Sequence, residues 1–312
     1  MAHTLTSRLT ATGAVVAAGA LLLTGCGSSK ISGNSGAAPN ASASVSAVTA
    51  DPSLAAMVPA ALKSKGTVTI ATDSTYAPAE FKDASGKIVG FDIDLGDAIF
   101  AKLGLKTTWQ SADFGSIIGG IAAKKYDLSL SSFTDTKERE KTIDLVQYYA
   151  AGEAIATLAG NPDKVPSTAN DLCGFKVAVQ TNTTESDEIK NTINPGCKKA
   201  GKPEIPNNGD QFDAQSDATS ALISKRDQAM LADSPVVDYA VKQNSSLMKL
   251  GENYNVAPYG IALPKGTQLT QAVQAAVKAL IQDGTYGQIL NKWGVQSGAI
   301  TADKVLINAA AS

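Results

Sequence analysis

Thr67-Val68-Thr69-Ile70-Ala71 and, a short way on, Gly90-Phe91-Asp92-Ile93-Asp94-Leu95 decide the fold. The first is a short β-branched run with strand character. The second opens a helix that reaches about Leu103, with acidic residues at its positive end and Gly104 as its stop. Between them, Lys82-Asp83-Ala84-Ser85-Gly86-Lys87 reads as a polar turn joining short strands. Toward the C-terminus the alternation continues, with strand over 106–110, helix over 116–124 and strand over 126–131. A second series follows Gly160-Asn161-Pro162: strand 175–180, helix 183–192, helix 215–224, strand 229–231, helix 234–242 and strand 259–264. A long amphipathic helix then places Leu269, Val273, Val277, Leu280 and Ile281 on one face and stops at Gly284. A last short helix carries Tyr286, Ile289, Leu290 and Trp293 toward a core. Strands alternating with helices predict an α/β fold with mainly parallel sheets.

The N-terminal region has a different character. One basic residue, Arg8, precedes an apolar run over 14–23, which is too short to span a bilayer, and the run closes in Leu23-Thr24-Gly25-Cys26. This is the pattern of a secretory signal peptide over 1–25. With cysteine at the cleavage edge it resembles a bacterial lipoprotein signal, which implies that the Cys26 thiol carries a lipid and that the chain works outside the cytoplasm, anchored to a membrane. An ordinary signal peptide that happens to contain a cysteine is the alternative. Residues 26–50 are Gly, Ser, Ala and Asn with almost nothing apolar to bury, and read as a flexible tether. Residues 51–65 read as a short helical lead-in, with Pro52 suited to a first turn.

Composition narrows the function. The 312 residues carry a formal charge of −2, with no basic excess for nucleic acid. The one histidine, His3, falls in the signal segment, which removes Ser-His-Asp catalysis and His-ligated metal from the mature chain. No cofactor is expected, and no Gly-x-x-x-x-Gly-Lys-Ser/Thr phosphate loop is present, so any ATP hydrolysis belongs to a partner. Cys173 and Cys197 remain as a pair. In an oxidising compartment they are expected to form a disulfide rather than part of a metal site.

Ala71-Thr72-Asp73-Ser74-Thr75-Tyr76-Ala77-Pro78, the Gly90–Leu95 stretch and Ser131-Ser132-Phe133-Thr134-Asp135-Thr136-Lys137-Glu138-Arg139 occur in that order. Val179-Gln180-Thr181-Asn182-Thr183-Thr184 and Ala232-Asp233-Ser234-Pro235 follow them. Together these motifs resemble the family 3 extracellular solute-binding proteins, the polar-amino-acid receptors of ABC importers, over about 66–295. The resemblance implies a two-lobed periplasmic-binding-protein-like fold with two hinge crossings and a discontinuous first lobe. Lobe 1 would be 66–157 with 257–297, lobe 2 would be 158–256, and 298–312 would be a C-terminal tail. The chain would cross near 156–160 and again near 253–257. The implied partners are a polar amino acid such as glutamine, glutamate or a basic amino acid, an ABC permease with its cytoplasmic ATPase, and the membrane through the lipid anchor. The receptor is expected to be a monomer.

A free amino acid presents a carboxylate, an ammonium and a side chain. Arg139 is the candidate carboxylate clamp because its planar fork makes two parallel charge-assisted bonds. On the residues alone it reads first as a surface ion pair with Glu138 or Glu140, and the motif reverses that order. The resemblance gives Thr134, Thr183 and Thr184 the same carboxylate role, the last two at a helix start whose free N–H groups favour an anion. Asp233 is the candidate ammonium partner, or else a helix cap before Ser234-Pro235. The resemblance adds Ser131 and Ser132 to the binding set, Ser132 through its backbone carbonyl. Tyr76 would pack on the ligand side chain, with Phe114 as the opposite wall; core packing is the alternative for both. Asp73 would meet a polar or cationic side-chain group, or cap a local turn, and with Tyr76 it favours glutamine or a basic ligand over an aliphatic one.

Two positions depart from the family pattern. Asn182 stands where relatives carry glycine, and asparagine tolerates the left-handed backbone there. Ala79 stands where relatives carry phenylalanine, which predicts a larger pocket or an amino-acid derivative as ligand. The competing class is an enzyme on the same scaffold, of cyclohexadienyl dehydratase type, with Asp73, Glu80 or Asp233 as its acid. The intact amino-acid clamp argues for binding.

Overall fold

The structure, a computed structural model, describes residues 47–310. Cys26 and the signal segment lie outside them, as does most of the tether. Helices α1 (Pro52–Ala56) and α2 (Ala60–Lys65) form the lead-in. It is two helices rather than one because Pro59, the N-cap of α2, has no N–H with which to continue α1. The first lobe then runs β1 (Thr67–Thr72), a small antiparallel sheet of β2 (Thr75–Tyr76), β3 (Glu80–Lys82) and β4 (Ile88–Val89), and α3 (Phe91–Lys102). It continues through β5 (Lys106–Ser111), α4 (Phe114–Ala122), β6 (Leu128–Thr134) and α5 (Lys137–Glu140) into the long strand β7 (Ile143–Leu158). The second lobe holds β8 (Val177–Gln180) and α6 (Thr184–Glu188), which passes through a π-helical turn into α7 (Asn194–Lys199). It is completed by β9 (Asp210–Phe212), α8 (Gln215–Ile223), β10 (Ala229–Asp233) and α9 (Ser234–Gln243). Strand β11 (Leu247–Pro264) returns to the first lobe, where α10 (Gln268–Gln282) and α11 (Thr285–Trp293) pack on α3.

The main sheet has the order β5-β1-β6-β11-β7-β10-β8-β9. β5, β1 and β6 are parallel at one end, and β10, β8 and β9 are parallel at the other. β7 and β11, antiparallel to each other, run through both lobes. Glu153–Thr157 already pairs with β10 of the second lobe, so the first crossing comes earlier than the expected 156–160. The ladder between β7 and β11 shifts register on both sides of Tyr254, and the return crossing lies in this irregular stretch.

Leu269, Val273, Val277 and Leu280 of α10 meet Phe91, Leu95 and Ile99 of α3 in one continuous core, each fully or almost fully buried. Burial of a side chain of this size contributes on the order of 2 kcal/mol. Cys173 and Cys197 form a disulfide with Cα atoms 5.6 Å apart. The segment read as a tail packs back on the first lobe: Ile307 bridges to Val146, the Leu145 N–H donates to Asn308 Oδ1 at 2.9 Å, and Val305 is fully buried.

Candidate functional site

Loops at the strand ends converge where the two lobes face each other. Asp73, Tyr76, Phe114, Ser131, Ser132, Thr134, Arg139, Thr183, Thr184 and Asp233 all line one small, nearly closed pocket between the lobes. Glu80, Gln180 and Glu185 complete its wall. The lobes are drawn together across it. The Tyr76 hydroxyl donates to Asp233 at 2.7 Å, Gln180 Nε2 donates to Asp73, and the Gln215 N–H donates to Thr75 Oγ1 at 3.1 Å.

Arg139 sits at one end. Its guanidinium donates to the Thr134 carbonyl at 2.9 Å and, across the cleft, to the Asn182 carbonyl at 3.1 Å, while resting over the rings of Phe114 and Phe133. The surface ion pair is not formed, because Glu138 pairs with Lys141 and Glu140 with Lys137. Phe114 stacks on Phe133 with ring centroids 4.5 Å apart, so it is a wall of the cavity braced by the core. Asn182 adopts a left-handed φ of +63°, the conformation for which glycine or asparagine is suited. Its side chain lies so close to Gly115 of the facing lobe that a Cβ there would come within 2.3 Å of Nδ2. Thr183 caps α6, its hydroxyl accepting the Ser186 N–H at 3.3 Å. Asp233 precedes α9 but makes no side-chain cap, and its carboxylate turns to Tyr76 instead. Burial pushes Asp233 up to about 6.

The other end is built on Asp73 and Glu80. Ser131 and Thr134 are three residues apart on β6, a rise of roughly 10 Å, so the guanidinium and the Asp73 end are well separated. The Asp73 N–H donates to Ser131 Oγ at 2.9 Å, and Ser131 Oγ donates to Glu80 Oε1 at 3.0 Å. Burial raises Asp73, and hydrogen bonds from Gln180 and from Thr75 (2.9 Å) oppose the rise by favouring the carboxylate. Thr75 thus supplies the local turn contact as well. Glu80 pairs with Tyr76 across the β2–β3 hairpin and is fully buried; burial, and next the Asp92 carboxylate, push it well above the usual carboxylate range.

Asp92 supports the floor. It accepts the Ser132 N–H at 2.9 Å and the Tyr148 hydroxyl at 2.7 Å, and so holds Ser132 in a left-handed φ of +48° that orients its carbonyl. Asp92 reaches this point because Gly90 packs against Ala79: a Cβ at Gly90 would lie 1.9 Å from the Ala79 oxygen, and φ there is +142°. Ala79 is buried behind the wall and does not line the cavity.

The sequence reading did not assign Gln180, Glu185 or Asp92 to the site. Gln180 lies inside a quoted motif and, as the last residue of β8, reaches into the cleft. Glu185 reads locally as an acidic first-turn helix residue, and nothing local distinguishes it.

Residues 68–296 match the family model described as bacterial extracellular solute-binding proteins, family 3. The arginine-binding protein ArgT of Corynebacterium glutamicum is 34% identical over 259 residues, covering 82% of this chain and 83% of its own. Among solved structures, an ancestral arginine-binding protein bound to arginine is similar with a TM-score of 0.66 and 36% identity, over 73% of this chain and 98% of that one. An ancestral amino-acid-binding protein that is a precursor of cyclohexadienyl dehydratase has a TM-score of 0.66 and 32% identity, over 75% and 97%.

Proposed function

This chain belongs to the bacterial extracellular solute-binding proteins of family 3, and from that premise we propose that its ligand is a cationic amino acid, arginine first. As a receptor of an ABC importer it captures a polar amino acid between its lobes and delivers it to a membrane permease. The observation that carries the cationic assignment is the charge of the cavity wall. Burial pushes the carboxyls of Glu80 and Glu185 up and so disfavours a charge on either. Asp73 and Asp233 then stand against a single cation, Arg139. An amino acid's head group brings one charge of each sign and leaves that imbalance in place. A positive side chain removes it, and unit charges a few ångströms apart at a partly buried site interact by about 4 kcal/mol before desolvation.

In this reading Arg139, Thr134, Thr183 and Thr184 hold the carboxylate, and Asp233 with the Ser132 carbonyl holds the ammonium. The side chain runs between Tyr76 and Phe114 toward Asp73. The names of the arginine-binding relatives support it. The same clamp favours binding over dehydration, which would leave an amino-acid head group without a use. No helix among the described residues is long and apolar enough to cross a membrane. In this reading the anchor is a lipid on Cys26, and the receptor acts as a monomer.

The test is calorimetry of the soluble form, beginning after Cys26, with arginine, lysine, ornithine, glutamine and glutamate. Tighter binding of the cationic ligands supports the assignment. Equal or tighter binding of glutamate overturns it.

A further inference from the structure

Glu185 is 1% exposed, and the mechanism above does not use it. It lines the cavity beside Arg139, Thr183 and Thr184. Its Oε2 accepts the Thr184 hydroxyl at 3.3 Å, whereas Oε1 is buried with no hydrogen-bond partner. A buried carboxyl oxygen without a partner is unfavourable, and a ligand that supplies one relieves it. We propose that Glu185 is a ligand-contacting residue of the cleft, its free Oε1 carrying a proton and donating to the carboxylate of the bound amino acid beside Arg139. This rests on the amino-acid reading above and adds a neutral donor to the carboxylate clamp.

The surroundings decide between a neutral donor and a charged acceptor. Asp233 at the start of α9 and Glu153 on β7 face Glu185 with negative charge or potential charge; Arg139 on α5 is the cation. Tyr76 and Tyr254 add phenols that burial keeps protonated. Burial first, and Asp233 next, push the Glu185 carboxyl up to about 8, so the acid is mostly protonated at neutral pH. A charged Glu185 would compete with the ligand carboxylate for Arg139. A protonated one cooperates with it. Because Oε2 already accepts from Thr184, the proton belongs on Oε1, the oxygen without a partner.

The experiment measures arginine affinity of wild type, Glu185→Gln and Glu185→Ala from pH 6.5 to 9, with thermal unfolding of each variant to show that it is folded. Loss of one donor from a clamp predicts about tenfold weaker binding for the alanine variant at pH 7. The glutamine variant keeps an N–H at the same place and recovers most of that loss. Wild-type affinity should fall relative to Glu185→Gln as pH rises through about 8, reaching about tenfold by pH 9. The paired comparison cancels deprotonation of the ligand's own amine. A glutamine variant as weak as alanine, with no extra pH slope in wild type, means a charged acceptor and overturns the proposal. Three superimposable profiles mean no contact and overturn it too. Folded wild type that binds no arginine overturns the amino-acid reading itself, and the proposal with it.

Discussion

Replacing Asp73 by asparagine tests the cationic assignment without changing the shape of the site. The amide has the same size as the carboxylate and can still accept from Gln180 and lie beside the Thr75 hydroxyl, so the wall stays in place. What disappears is one negative charge at a 4% exposed position, at the end of the cavity away from Arg139. Two unit charges about 4 Å apart at an effective dielectric near 20 attract by about 4 kcal/mol. Part of that is lost in desolvating both groups, and hydrogen bonds to charged partners are worth about 1.5–3 kcal/mol net. The expected cost for arginine is therefore about 2 kcal/mol, close to a thirtyfold rise in Kd. Glutamine, which brings no side-chain charge, should change by less than about threefold. Titration calorimetry of wild type and Asp73→Asn with both ligands gives the ratio directly. Arginine and glutamine weakened alike, or arginine not weakened at all, would refute the placing of the ligand side chain at Asp73.

Arg139→Ala should weaken every amino-acid ligand by at least about a hundredfold, and Arg139→Lys should recover little of this, because an ammonium cannot make the planar double contact; calorimetry with arginine and glutamine checks both. Burial has raised Asp233 to about 6, so its carboxylate gains a proton as pH falls through that value and the ligand ammonium loses its counter-charge. Affinity should drop about tenfold between pH 7 and pH 5 in wild type and stay flat, though weak, in Asp233→Asn. Replacing Cys173 and Cys197 together by serine reopens a 24-residue loop and should cost about 3 kcal/mol of stability in the chain-entropy view, read by chemical unfolding. Arginine affinity should not move, since neither cysteine lines the cavity.

Helix α10 was legible because its apolar residues recur at helical spacing, and α3 because acidic residues open it and a glycine follows it. Strand β7 was not, because Ile143-Asp144-Leu145-Val146-Gln147-Tyr148-Tyr149 shows no clean alternation. It is buried on both faces, as a central strand must be, and the period that marks a half-exposed strand is missing. Asp73, Tyr76, Phe114, Thr134, Thr183 and Asp233 meet at the cavity because each stands at or next to the end of a strand or the start of a helix. Glu80 was visible only as a spare acid, since its partnership with Tyr76 needs the β2–β3 pairing. Asp92 was visible as an acid at a helix start. That it fixes Ser132, forty residues away in sequence, is a tertiary fact that no local pattern encodes.

β7 and β11 cross between the lobes as neighbours in one ladder, not as two separate threads. Two independent strings would let the lobes swivel and slide as well as open. A paired ribbon resists torsion and shear and yields mainly by bending across its width, and the ladder is interrupted on both sides of Tyr254. The lobes then approach along a single path, and the residues of both jaws arrive in the same order at each closure. A permease that meets such a receptor needs to sense only one coordinate of its closure.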